Sequence, residues 1–376
     1  MATLAHLSDT HLGFRAYGRV TSEGINQREA DVLATFEATL EAILARNPDV
    51  VLHTGDVFHQ VRPTNHTIVQ AQRALIQFQL RRQGKPFLMV GGNHETPRTV
   101  DSGSILRLFE SIPGLHVAAL EPMRIELKEL DLEALLVPTR ALERDEEIRW
   151  EPVLGCSISI LGLHGMVSEA LPDHAHLSIF ETQPDRWTYV GLGDYHVRKK
   201  FAANCAYPGS TDYTSSNVWE ESTTPKGWIW FDTDFGEIEF VPTQPRPVLD
   251  LPRIQADGLS GEELTAKLLQ NAEWDESLRP IVRQVVENVS LGCRMGLTRR
   301  EVQALQKRAL HYQLDLRKAA SESMVSSGEA FGSLETEWAH HIQAQAWESD
   351  IEAETLIQLG RDLLRRAGHE IEETEA

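Results

Sequence analysis

The sequence predicts an α/β protein followed by a small α+β unit and a helical tail. Three observations carry that expectation. Over the first ~240 of 376 residues, short β-like runs alternate with helical patterns. The stretch "PTQPRPVLDLPR" (242–253), with four prolines in twelve residues, then marks a stiff linker. Beyond it, strand-like and helical patterns mix in a segment too small and too charged for a second catalytic core, and the chain ends in a long helical pattern.

The strand candidates are "TLAHL" (3–7), "DVVLHT" (49–54), "PFLMV" (86–90), "SISILGL" (157–163) and "WTYVGL" (187–192). A helix is expected over 28–46, with Val32, Phe36, Leu40, Ile43 and Leu44 on one face. A second is expected over 65–84, with Asn65 as N-cap and Gly84 as its stop. "KGWIWFDTDFGEIEFV" (226–241) reads as a hairpin turning at Gly236. Past the linker, 280–290 reads as strand and 298–316 as helix. The small polar run "KAASESMVSSGEAFGS" (318–333) reads as a flexible link. In the tail (334–368), Trp338, Ile342, Trp347, Ile351, Leu356, Leu359 and Leu363 form an apolar stripe with acidic flanks. The expected units are therefore 1–245, 246–318 and 319–376.

Composition narrows the function classes. With 41% hydrophobic and 24% charged residues, the chain has the make-up of an ordinary globular protein. No apolar run approaches the ~20 residues that span a bilayer, so no membrane role is expected. The start "MATLAHLSDTHLG" turns polar too soon for a secretion signal. Cys156, Cys205 and Cys293 are scattered and form no CxxC, which points to a reducing cytoplasm and away from a thiolate zinc site. A net charge of −20 is the wrong sign for a general polyanion binder. Nucleic-acid recognition would need bound divalent cations or a local basic strip.

The five strand candidates end alike. They run into Asp9-Thr10-His11, Gly55-Asp56-Val57-Phe58-His59, Gly92-Asn93-His94-Glu95, His164-Gly165 and Gly193-Asp194-Tyr195-His196. Loops at the carboxyl ends of strands in an α/β sheet line the ligand crevice, so these side chains are expected to converge. Imidazole with carboxylate and amide oxygens suits Mn²⁺, Fe²⁺ or Zn²⁺. A shared carboxylate can bridge two ions ~3.5–4 Å apart, which together activate water and hold a phosphoryl oxygen. One Asp-x-His after a strand is usually turn chemistry; the joint order of five such ends is the signal. His53, inside a strand candidate, is expected in the core or behind the ligands.

That order resembles the calcineurin-like metallophosphoesterases and, within them, the Mre11/SbcD DNA double-strand-break repair nucleases. "GDVFHQVRPTNHTIVQA" (55–71), "NQREADVLATFE" (26–37) and "YPGSTDY" (207–213) are similar to segments of that branch. The resemblance is strong over 1–245 and loose beyond. It implies a β-sandwich flanked by helices, a small α+β DNA-capping domain and a helical partner-binding tail. It implies two divalent ions, with Mn²⁺ favoured: Asp9, His11 and His196 on the first, Asn93, His164 and Asp194 on the second, and Asp56 between them. His94 corresponds to the family's catalytic histidine, and His59 to a residue that handles the nucleotide at the scissile phosphate. The implied activity is exo- and endonucleolytic hydrolysis of DNA. The implied partners are DNA, a Rad50/SbcC-like ATPase on the C-terminal helices, and a second copy of the chain. Arg198, Lys199 and Lys200, with Arg62, are candidates for phosphate contact. The sequence departs from the pattern at Asp194, where the family has histidine; aspartate is a harder, charged ligand that favours Mn²⁺ or Mg²⁺. The alternative reading is a phosphoesterase of nucleotides or another small phosphoester, and a non-catalytic DNA-end binder would require a lost ligand.

Overall fold

The computed structural model describes residues 2–97, 99, 103–144, 147–318, 338–339, 341–343 and 353–372. Two six-stranded sheets stack face to face. The first contains β1 (Thr3–Leu7), β2 (Val50–His53), β3 (Phe87–Val90) and β4 (Leu115–Ala118), all parallel, with β11 (Gly227–Asp232) and β12 (Glu237–Pro242) added antiparallel beside β1. The second contains β5 (Met123–Leu127), β6 (Leu132–Val137), β7 (Ile158–His164), β8 (Tyr189–Gly193), β9 (Lys199–Ala202) and β10 (Cys205–Tyr207), in the order β5-β6-β7-β8-β10-β9.

The inner strands read as continuous apolar runs because both of their faces are covered, whereas the edge strands β5, β9 and β12 are partly exposed. Leu4, Leu52, Leu88 and Val90 meet Leu136, Ile160 and Tyr189 between the sheets. Outside the first sheet lie α1 (Gln27–Arg46) and α2 (Asn65–Arg81). Their stripes, Val32, Phe36, Leu40 and Ile43 on one and Leu75 and Phe78 on the other, pack on Val51, Phe87 and Met89. Each such side chain contributes about 1.5–3 kcal/mol by burial. The N-cap of α2 is Thr64, not Asn65: its hydroxyl accepts from Thr67 N. The helix closes at Arg82, two residues before Gly84. The hairpin turns at Gly236 as expected, with φ +65°.

Past the prolines, β13 (Val248–Asp250), β14 (Ile254–Gln255), β15 (Ile281–Val289) and β16 (His311–Lys318) form a parallel sheet. Helices Gly261–Asn271 and Arg299–Arg308 bury Leu264, Leu268 and Leu305 against it. The helix expected over 298–316 stops at Arg308. His311–Lys318 is drawn into a strand by pairing along β15, which lets alternate Tyr312, Leu314 and Leu316 join the core. Tyr17 stacks on His311 with centroids 4.3 Å apart. Arg246 forks onto Asp31 at 2.6 and 2.7 Å and donates to the Leu278 and Arg279 carbonyls.

In the tail, Ile342 and Ile357 are buried against each other's segment, while Leu359 and Leu363 on the helix Ala353–Glu372 are 57% exposed. Residues 319–333 of the expected link and 334–337 of the tail, with Trp347 and Ile351 of the stripe, lie outside the described residues. No helix among the described residues is long and apolar enough to cross a membrane.

Candidate metal centre

The loops after β1, β2, β3, β7 and β8 meet at one edge of the sandwich. The first two zip together by backbone: Asp9 N donates to Gly55 O (3.0 Å), His11 N to Asp56 O (2.9 Å) and Leu12 N to Val57 O (2.8 Å). Asp9, His11, Asp56 and Asp194 are all left-handed, with φ of 51°, 46°, 54° and 101°. Non-glycine residues there cost roughly 1–2 kcal/mol each. The turns bring each side chain back over the strand ends. Gly55 and Gly92 make the approach possible: a Cβ would lie 2.1 Å from His164 Nδ1 at the first and 2.1 Å from Asp56 Oδ1 at the second.

Three sets of ligand atoms each lie within 4.8 Å of one another: Asp9, His11 and His196; Asp9, Asp56 and His164; and His11, His59 and His94. Asp56 faces two ways. Its Oδ2 is 3.6 Å from His11 Nε2, and its Oδ1 is 3.6 Å from His164 Nε2. Around His164 Nε2 also lie Asn93 Oδ1 at 3.2 Å and Asp194 Oδ1 at 3.8 Å. The structure thus brings together Asp9, His11, Asp56, Asn93, His164, Asp194 and His196.

The donors are oriented from behind. His164 Nδ1–H donates to the Thr54 carbonyl (2.6 Å), leaving Nε2 as an unprotonated acceptor. His196 Nδ1–H donates to Glu221 Oε1 (2.8 Å), which also accepts from the buried Lys226 (2.9 Å). Lys226 also donates to the His196 carbonyl and to Ser210 Oγ. Burial alone would raise the Glu221 carboxyl, but the His196 hydrogen bond and Lys226 outweigh it and hold it at about 2. His11 Nε2 then faces His196 Nε2 at 2.9 Å, with the His196 atom a lone-pair donor.

This donor set fits divalent cations. Burial first, then Asp9 and Asp194, pushes the Asp56 carboxyl well above its ordinary range, against the hydrogen bond from His94 N. Burial, then the charges of His196, His94, His59 and His164, holds the His11 imidazole well below its own. Clustered carboxylates and unprotonated imidazoles are what an ion resolves.

His94 Nδ1–H donates to the His59 carbonyl (2.7 Å), so Nε2 is its outward atom, 3.9 Å from Asp56 Oδ2. The His59 ring stacks on His94 (5.2 Å, 29°) and is lowered to about 4 by burial and then by His94. Glu95 is buried and accepts from the backbone of Phe58 and Gly92, clamping two ligand loops. Burial, then Asp56, pushes it up to about 8. His53 is a core residue whose Nε2 meets Thr10 Oγ1 at 3.1 Å.

Two of the four basic candidates have contacts of their own and the other two are exposed. The Arg198 guanidinium lies 4.5 Å over the Phe240 ring, and Lys199 donates to the Glu169 carbonyl. Lys200 is exposed on β9, and Arg62 is exposed before α2. Glu221 and Lys226 went unread in the sequence because neither sits at the end of a strand; one is on a four-residue helix and the other precedes β11.

The sequence profile described as calcineurin-like phosphoesterase matches residues 2–202, which contain all seven converging side chains. A DNA double-strand break repair protein Mre11 from Sulfurisphaera tokodaii is 29% identical over 200 residues, 53% of this chain and 50% of that protein. The chain thus spans about half the length of that relative. Proteins of the same description from Methanocaldococcus jannaschii and Saccharolobus solfataricus are 27% and 26% identical. They match over 65% and 84% of this chain and 68% and 82% of their own.

Proposed function

Since the chain belongs to the calcineurin-like phosphoesterase family and is a metal-dependent hydrolase, we propose that its substrate is the DNA phosphodiester bond, cut exo- and endonucleolytically in double-strand-break end processing. The observation that carries a two-ion centre is Asp56, with one oxygen toward His11 and the other toward His164. In this reading Asp9, His11 and His196 hold one ion, Asn93, His164 and Asp194 the other, and Asp56 is shared. Three carboxylates and an amide beside imidazoles favour Mn²⁺. When bound, the ions supply Lewis acidity to the phosphoryl group and to the attacking water.

The chain's own residues do the rest. The His59 carbonyl fixes His94 through Nδ1–H; as an imidazolium it would also carry Nε2–H, which hydrogen-bonds to the leaving oxygen and gives up that proton, leaving neutral His94. The His59 ring, stacked against His94, meets the nucleotide. Glu95 keeps the loops of Asp56 and Asn93 in one geometry. The named function of the relatives supports DNA as the substrate. The partner in this reading is a Rad50/SbcC-like ATPase, for which exposed Leu359 and Leu363 offer a face, and the chain acts as a homodimer in the cytoplasm.

The test is a substrate panel with Mn²⁺: blunt duplex, bis-p-nitrophenyl phosphate and a cyclic nucleotide. Wild type should cut duplex, and His94→Gln should lose cleavage while still binding two ions. The −20 charge favours the second reading, a small-phosphoester hydrolase. Activity on the nucleotide with none on duplex would replace the nuclease reading with that one.

A further inference from the structure

Beside the histidines lies a cleft of about 600 Å³ lined by His59, Asn93, His94, Thr96, Arg140 and Arg144, among others. Arg140 is its unusual member. The residue is 5% exposed, yet its Nη1 is buried without a hydrogen-bond partner. Guanidinium groups are rarely buried unpaired, because desolvation then goes uncompensated. Glu143, one turn on along the same short helix, is exposed and does not hydrogen-bond to this atom.

The position of Arg140 is fixed by the ligand loops themselves. Its neighbour Thr139 donates its backbone N–H to the Gly91 carbonyl (3.2 Å), just ahead of Asn93 and His94. The Thr139 hydroxyl donates to the carbonyl of His164 (3.0 Å). Arg140 is therefore tied, through Thr139, to the backbone of two candidate ligand loops and lines the same cleft as Asn93. In a chain of net charge −20, a buried cation lining a cleft with no ion-pair partner among the described residues is a place prepared for a bound anion.

We propose that Arg140 binds a non-bridging oxygen of a substrate phosphate next to the scissile one, with exposed Arg144 adding charge at the mouth of the cleft. The proposal rests on the nuclease reading, in which the second phosphate is the next one along the strand. It assigns the strand's path to the His59–His94 side of the site, away from the Arg198–Lys200 triplet.

The experiment compares two substrates with Mn²⁺ present: a single-stranded oligonucleotide, and the p-nitrophenyl ester of thymidine 5′-monophosphate, which has one phosphodiester and no flanking phosphate. Arg140→Met should raise KM for the oligonucleotide roughly tenfold or more with kcat little changed. KM for the thymidine ester should stay as in wild type. The salt dependence of oligonucleotide binding should fall by about one in slope. Arg140→Lys should recover part of the KM. The melting temperature of substrate-free Arg140→Met should not fall, since an unpaired buried charge has been removed; a structural cation would lower it.

Equal KM rises for both substrates, or a lower melting temperature with unchanged KM, would overturn the assignment. Oligonucleotide cleavage by wild type with unchanged KM in Arg140→Met overturns it alone. A wild type that hydrolyses the thymidine ester but neither binds nor cuts oligonucleotide overturns the nuclease reading along with it.

Discussion

The two halves of the candidate metal centre are built differently. On the His196 side, the ring is held by Glu221, which is held in turn by Lys226, and both are buried. On the Asp194 side, the Thr54 carbonyl holds His164, while Asp194 itself is held through its backbone: Asp194 N donates to Asp9 at 3.2–3.3 Å, and the side chain is 18% exposed. One half has its donor fixed before any ion arrives. The other adds to its fixed imidazole a partly exposed, charged oxygen. The difference teaches that ligand identity and ligand support need not match across a pair of sites, and that the two ions should differ in how tightly they are held.

Removing what the halves share should have the largest effect. Asp56→Asn is expected to lower phosphodiester hydrolysis on the order of 10³-fold or more. Calorimetric Mn²⁺ titration beside turnover of bis-p-nitrophenyl phosphate would check this, and two undisturbed ions with normal turnover would remove Asp56 from its place. Next comes Glu221→Gln, which should weaken one ion by roughly 10–100-fold and leave the other alone. Melting temperature should fall too, because Lys226 loses its buried counter-charge. Equal weakening of both ions would erase the asymmetry. A smaller change is expected from Asp194→His. It should affect only the other ion and shift preference from Mn²⁺ toward Zn²⁺ in competition binding.

The smallest effect at neutral pH concerns His6, which lies beneath both halves between Tyr189 Oη and Thr54 Oγ1. Burial, then His53, lowers its folded-state pKa to about 3, while an unfolded histidine titrates near 6.5. Below 6.5 the unfolded chain takes up the proton more readily than the folded one. The stability linked to His6 is therefore present above pH 6.5 and is lost as pH falls from there toward 3. About 2 kcal/mol should be gone by pH 5. Denaturant unfolding of wild type and His6→Gln at pH 5 and 8 would show it, with a flatter profile in the variant.

How far the sequence speaks depends on which residues cooperate locally. The convergence of Asp9, Asp56, Asn93, His164 and Asp194 was legible because each follows an apolar run whose direction places it at the same edge. Thr64 was missed as a cap because Asn65 beside it has equal capping chemistry, and only the backbone decides between them. His311–Lys318 was misread because Val302, Leu305, Ala309, Tyr312 and Leu316 fit a helical spacing while Tyr312, Leu314 and Leu316 fit a strand. Parallel pairing with β15, a long-range event, made the choice. Glu221, Lys226 and Arg140 carry no spacing signal; their significance exists only after the chain has folded around them.

The left-handed turns at Asp9, His11, Asp56 and Asp194 also bear on how this site can change over generations. Each of these positions is filtered twice, once by what an ion accepts and once by what a left-turning backbone tolerates. Aspartate, asparagine and histidine are among the few residues that pass both filters. An exchange of aspartate for histidine at such a turn stays within that short alphabet, whereas glutamate or cysteine, competent ligands elsewhere, would have to rebuild the loop first.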